Sequence, residues 1–440
     1  MTRRAFTVVE LLVAMVITLI MMGAVATLLG TITGGVGASR ATIEMTERMR
    51  SAASRLQQDL DGVTVTMLPP RRPESDEGYF ELIEGLQSDR QIDDPSNSDP
   101  TVLLDPAAYP LLSRFGDCDD VLMFTTRTRG EPFIGKVPTS INASGTIQSQ
   151  VAEVVYFLAP SPTSTAINPQ YTLYRRCLLV VPSFQIQDGT TPQQMLEQYD
   201  ISVRMVPGTN PQKWVANSLG DLTKRENRAA HVATFPHRVD FTQIIPFAGT
   251  RYGEDVILSN VLAFDATVYD PGVALKWDAS KSYFLTPRDP GWTALASVYP
   301  TPPNEPQPYG AFVDLGYAPT FTNNATAPPM WFNAAPAPKS LLAAAYAAPV
   351  RHTYDTYSAH YENDGIDQPA TIGGAPDGLI DLATNGFDDN NDGVVDDSLE
   401  AESAPPYAHP LRGVKVTVRV YEPDSRQIRE LNIESDFTPE

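Results

Sequence analysis

The chain has 440 residues, of which 42% are hydrophobic and 39 are proline. That is enough apolar sequence for a core, so the bulk is not a disordered polymer, and the length allows one large domain or two smaller ones beyond any membrane segment. The formal net charge is −21, and a surface this acidic repels phosphate backbones, which argues against nucleic acid as a partner.

The N-terminus reads MTRRAFTVVELLVAMVITLIMMGAVATLLG. From Leu11 to Leu29 the run is almost unbroken apolar sequence, about 20 residues, long enough for a helix to cross a hydrocarbon core. Arg3 and Arg4 precede it. Basic flanks stay cytoplasmic, so the remainder of the chain is expected outside the cytoplasm. A secretory signal would have a shorter apolar run and a small-x-small cleavage site. This run instead continues through Gly30 into Thr31, Thr33, Gly34, Gly35 and Gly37. Glu10 stands at its start, and a carboxylate in lipid costs a few kcal/mol, so it calls for a partner.

The segment Arg3-Arg4-Ala5-Phe6-Thr7-Val8-Val9-Glu10-Leu11-Leu12 resembles the class III signal of type IV pilins and pseudopilins. The resemblance implies a leader of residues 1–5, cut by a prepilin peptidase between Ala5 and Phe6, and N-methylation of the new Phe6 amine. The family usually carries Gly before the cut, where this chain has Ala5. Glu10 takes the place of the family's conserved-position glutamate, the fifth mature residue. In a low-dielectric setting it can pair with the Phe6 amine of a neighbouring subunit and so register an incoming copy. The implied location is the bacterial inner membrane, single-pass, with the N-terminus cytoplasmic. The implied partners are other pilin or pseudopilin subunits.

Past the glycines, Met45, Met49, Ala52, Leu56 and Leu60 recur at spacings of three and four and form one apolar stripe. Glu44, Glu47, Arg48, Arg50, Arg55, Gln57 and Asp59 are assigned to other faces. Gly62 is the expected stop. A helix over 6–62, with its membrane half at 8–30, would span about 80 Å. The cluster Gly34, Gly35, Gly37 costs about 1 kcal/mol per glycine and predicts a bend or a frayed turn there.

Beyond Met67 the chain changes character. Strand patterns cover Val121–Thr126, Val154–Leu158, Tyr171–Val181 and Val261–Tyr269. The clearest hairpin closes the chain. Val414, Val416, Val418 and Val420 alternate with Lys415, Thr417, Arg419 and Tyr421, then Glu422-Pro423-Asp424-Ser425 offers turn chemistry, and Ile428–Ile433 returns. The pattern predicts an antiparallel sheet with one face covered by the helix or a second sheet. The fold class is therefore α+β: a long N-terminal helix, a β-rich head over 63–280 and a C-terminal hairpin over 411–440.

The order of several segments is similar to the J-type minor pseudopilin of type II secretion systems. These are Ser54-Arg55-Leu56-Gln57-Gln58-Asp59-Leu60, Glu153–Leu158 followed by Leu173-Tyr174-Arg175-Arg176, Val256–Tyr269, Lys276-Trp277, and Arg412–Arg419. The stretch 281–410 has no counterpart in the J-type pattern that the chain resembles and is expected to be an insertion. W-type minor pilins share the architecture. The resemblance implies a minor, tip-located subunit, since a bulky head suits a rare position better than a repeating shaft.

Within the insertion, Pro287–Pro349 is rich in Pro and Ala and reads as irregular, extended chain over the surface. An acidic segment follows, with twelve carboxylates and no Lys or Arg between Glu362 and Glu402. Inside it, Asp388, Asn390 and Asp392 occupy positions 1, 3 and 5 of a loop resembling the calcium loop of EF-hand and dockerin-like proteins. Gly393 sits at the sharp turn, the Val394 carbonyl at position 7 and Asp396 at position 9. Position 12 is Leu399, so Asp397 or Glu400 would have to supply the last carboxylate. The expected cofactor is Ca2+, against a solvated acidic loop as the alternative.

Cys118 and Cys177 are the two cysteines, open to pairing or to two buried thiols. His231, His237, His352, His360 and His409 show no H-E-x-x-H spacing, and the chain has neither a Gly-x-Ser-x-Gly elbow nor a P-loop. The chain is therefore expected not to be an enzyme. The competing readings are an extracytoplasmic adhesin or ligand-binding protein mounted on a pilin helix, and a membrane-anchored hydrolase.

Overall fold

The computed structural model describes residues 7–84, 116–161, 164, 170–187, 192–206, 213–231, 251, 253–289, 308–315, 353–356, 407 and 410–437. It begins with helix α1, Val8–Asp61, about 80 Å of continuous rod at 1.5 Å per residue. The helix runs unbroken through the Gly34–Gly37 cluster, against the expected fray. Each glycine costs about 1 kcal/mol, but helix already propagates from both sides and no new nucleus is needed.

The head is built on a nine-stranded antiparallel sheet. Its strands are β1 (Phe80–Ile83), β2 (Val121–Arg127), β5 (Val151–Pro160), β6 (Tyr171–Leu179), β10 (Val256–Ala274), β13 (Tyr309–Val313), β14 (Thr353–Asp355), β15 (Gly413–Glu422) and β16 (Gln427–Asp436), in the order β14-β1-β2-β5-β6-β10-β15-β16, with β13 also on β10. The closing hairpin pairs Gly413 with Asp436 and Glu422 with Gln427. The remaining strands are β3 (Phe133–Lys136) with β4 (Thr146–Ser149), β11 (Lys276–Asp278) with β12 (Tyr283–Leu285), and a three-stranded sheet of β7 (Gln185–Gln187), β9 (Lys213–Ala216) and β8 (Val203–Val206). A short helix α2 covers Pro192–Gln198.

Alternation along the strands sorts side chains into two layers. Leu122, Phe124, Val154, Tyr156 and Leu173 face α1 and pack with Met45, Met49, Ala52, Leu56 and Leu60. Val414, Val416, Val418 and Val420 join the same layer. Val121, Met123, Val155, Phe157 and Leu178 face the other way, onto Leu196 of α2 and onto Leu219, Leu222, Ala229 and Ala230. Because both faces are covered, Val121–Phe124 of β2 and Val154–Ala159 of β5 read in sequence as continuous apolar runs rather than alternating ones.

Two segments of the 281–410 stretch enter the main sheet: β13 pairs with β10, and β14 pairs with β1 at the edge. β14 also completes a buried ionic group. Arg228 Nη1 donates to Glu81 Oε2 at 2.6 Å and to Asp355 Oδ2 at 2.8 Å, and its guanidinium lies 3.9 Å from the centre of the Tyr79 ring. His231 Nε2 is 2.9 Å from Glu81 Oε2, and Arg225 reaches both carboxylates at 3.4 Å. Burial works to raise the Glu81 carboxyl, yet His231, Arg228 and Arg225 together hold it well below the usual range. Arg228→Met leaves Glu81 and Asp355 buried beside a weakened counter-charge. It is expected to cost about 3–5 kcal/mol in urea unfolding of the detergent-solubilised chain, the scale of a broken buried pair; a loss below about 1 kcal/mol would show the group to be dispensable.

Candidate functional site

α1 is two helices in chemistry and one in backbone. In the first half the apolar side chains Val8, Val9, Leu11, Leu12, Val13, Met15, Val16, Ile17, Leu19, Ile20 and onward to Val36 are exposed. The helix is long and apolar enough to cross a membrane. Its hydroxyls need no outside partner: Thr18 donates to the Ala14 carbonyl at 2.7 Å, Thr27 to Gly23 at 2.9 Å and Thr33 to Leu29 at 2.8 Å. Polar groups satisfied within the helix are what a hydrocarbon environment demands.

Glu10 sits at the helix start in a capping box. Thr7 Oγ1 accepts from the Glu10 amide at 3.3 Å, while Glu10 Oε2 accepts from the Thr7 amide at 2.9 Å and from its hydroxyl at 3.0 Å. The residue singled out for assembly thus also caps the start of the helix, with its carboxylate turned back onto Thr7. Ala5 and Phe6 lie outside the described residues, as do Asp388, Asn390, Asp392, Val394, Asp396 and Asp397 of the expected calcium loop, and His352 and His360.

The second half of α1 is bolted to the head. Besides the apolar stripe, Asp59 is only 2% exposed, contrary to its assignment to a polar face. Arg175 of β6 clamps it in bidentate fashion, Nε to Oδ2 at 2.6 Å and Nη2 to Oδ1 at 3.0 Å, and the Tyr156 hydroxyl of β5 donates to Oδ2 at 2.5 Å. Burial first, and then the Asp59 charge, push the Tyr156 phenol well above its ordinary range, so it stays protonated and donates. The spacing held the signal: Asp59 is three residues after Leu56, on the stripe itself. At the helix end the Thr126 hydroxyl donates to the Asp59 carbonyl at 2.7 Å and the Arg127 amide to the Gly62 carbonyl at 2.7 Å. A Cβ on Gly62 would stand 2.4 Å from the Arg127 carbonyl oxygen, so glycine is needed there for close approach of β2 as well as for stopping the helix.

No disulfide joins Cys118 and Cys177, which are both thiols. Burial pushes the Cys177 thiol up, away from the reactive thiolate form.

The family described as the prokaryotic N-terminal methylation motif matches residues 1–26. No curated protein and no solved structure matches the chain. The motif supports a type IV pilin-like or pseudopilin-like subunit, and together with the exposed apolar helix it fits a membrane-anchored pilin.

The clamp makes a measurable claim. Asp59→Ala and Arg175→Ala are each expected to cost about 3–5 kcal/mol, because each leaves a buried charge without its partner. The double variant is expected to cost less than the sum, with a coupling of about 1–3 kcal/mol in a double-mutant cycle. A coupling below about 0.5 kcal/mol would show that the pair does not hold the helix to the head.

Proposed function

We propose that this protein is a structural, non-catalytic subunit of a type IV pilus or a type II secretion pseudopilus, in the minor, tip-located position of a J-type pseudopilin. In this reading prepilin peptidase cuts between Ala5 and Phe6, the Phe6 amine is methylated, and the subunit waits in the inner membrane with its head outside the cytoplasm. Assembly then packs the apolar half of α1 among the helices of other subunits, with Glu10 pairing the Phe6 amine of a neighbour. The single observation that carries the reading is the division of α1: a methylation-motif N-terminus with every apolar side chain outward, continuous with a C-terminal half buried in the head. A membrane anchor alone needs only the first half. A rod that transmits force to a head needs the backbone continuity and the clamp as well.

The acidic segment belongs to the same proposal. Asp388, Asn390, Asp392, the Val394 carbonyl, Asp396 and Asp397 are suited to hold Ca2+ on the head outside the cytoplasm, where the ion is abundant.

Mass spectrometry of the chain co-expressed with a prepilin peptidase tests the first step, with a mature protein beginning at N-methylated Phe6 as the expected product. Retention of Met1, or a cut beyond Gly30, would overturn the filament reading. For the processed chain, Glu10→Ala is expected to abolish incorporation into filaments while leaving thermal unfolding of the head unchanged, because Glu10 is exposed and remote from the core. Normal incorporation of Glu10→Ala would remove Glu10 from the assembly step.

A further inference from the structure

Where β1 ends, three carboxylates from two separate parts of the chain converge. Glu84 follows β1, Asp117 and Asp120 precede β2, and one ligand-capable oxygen of each lies within 4.8 Å of the others. All three are buried, Glu84 at 5% exposure. Each carboxylate accepts from a backbone donor: the Ala266 amide of β10 donates to Asp120 Oδ2 at 2.7 Å, and the Asp119 amide to Asp117 Oδ1 at 3.1 Å. The Leu315 amide, just past β13, donates to Glu84 Oε2 at 3.3 Å. The other oxygen, Glu84 Oε1, is buried and accepts no hydrogen bond among the described residues.

A buried carboxylate oxygen without a donor costs the desolvation of a charged acceptor. The surroundings add to the cost. Asp119, Asp265 and Asp314 add their charges to the same neighbourhood. Arg288 pairs with Asp265 and stands 3.6 Å from Asp314, so its charge goes to that side of the group.

We infer that Glu84, Asp117 and Asp120 form a site for a hard divalent cation of the size of Ca2+, with Glu84 Oε1 as a ligand. Oxygens bound to one Ca2+ at about 2.3–2.6 Å stand no more than about 5 Å apart, and these already meet that condition. An all-carboxylate donor set selects hard cations over Zn2+ or Cu2+. The ion would join the end of β1, the segment entering β2, the middle of β10 and the end of β13. Those pieces are distant in sequence, so its effect is structural, closing one end of the main sheet. The site shares no residue with the acidic segment at 388–397 and is independent of the filament reading.

The test is thermal unfolding of the full-length chain in detergent, stripped with EDTA and then supplied with millimolar Ca2+. The comparison includes Glu84→Gln, Asp120→Asn and the control Asp388→Asn/Asp392→Asn. Ca2+ is expected to raise the Tm of the wild type and of the control by several degrees, and most of that rise is expected to vanish in Glu84→Gln and Asp120→Asn. Without Ca2+, Glu84→Gln is expected to melt at or above the wild type, since its amide can donate to the neighbouring carboxylates; a merely misfolded variant would melt below it. A wild type indifferent to Ca2+, or a Glu84→Gln chain with the full rise, would overturn the site. Should both site variants fail to fold, calorimetric titration of the control variant with Ca2+ decides: a binding event is expected, and none would overturn the proposal.

Discussion

The ion pair between Asp59 and Arg175 decides how the helix sits on the sheet. An apolar stripe on its own allows a helix to slide by a turn, because Met45, Met49, Ala52, Leu56 and Leu60 repeat at near-equal intervals. A bidentate pair with 3% and 11% of the two side chains exposed does not allow it. Any slide would strand two desolvated charges, a far larger cost than the loss of a few apolar contacts. Arg175 and Tyr156 lie on adjacent strands, so the pair fixes the helix to the middle of the sheet, and the hydrogen bonds at Thr126 and Arg127 fix its end to β2.

With its register fixed at one end, the helix becomes a lever. Its first half presents exposed apolar side chains, while its second half packs an apolar stripe into the head. Only the backbone links the two. The glycines at 34–37 fall at the junction, and the helix continues through them, so a pull or rotation applied to the apolar half reaches the clamp directly. Had the helix broken there, the membrane half would be a tether. Continuity keeps the apolar half and the head in one fixed relation.

Much of this was legible in the sequence. The helix stripe, the stop at Gly62 and the alternating valines of β15 are local patterns with periods of 3.6 and 2, and the elements formed where those periods lay. The long-range polar groups were not legible. Asp59 looked like one more charge on a charged helix, and its partner stands across the sheet at position 175. Glu81, Arg228 and Asp355 meet from three distant segments, and Glu84 meets Asp117 and Asp120 from a second stretch more than thirty residues away. No periodicity connects such residues, because their proximity is created by strand order. The carboxylates that drew notice in the sequence were the contiguous ones at 388–397, whose spacing is itself the signal.

The strand order also changes how the 281–410 stretch is understood. A surface excursion could be deleted at little cost in core packing, since loop closure depends only weakly on length. This stretch supplies β13 to the long strand β10 and β14 to the edge strand β1. Through Asp355 it also supplies one of the two carboxylates that Arg228 binds, and Arg228 is wholly buried beside Tyr79. The core of the head would thus be left with a buried cation short of a counter-charge if the stretch were removed. Segments 309–313 and 353–355 of the stretch therefore belong to the head's folding unit, and as strands of five and three residues held by distant partners they are too short to carry a period of their own.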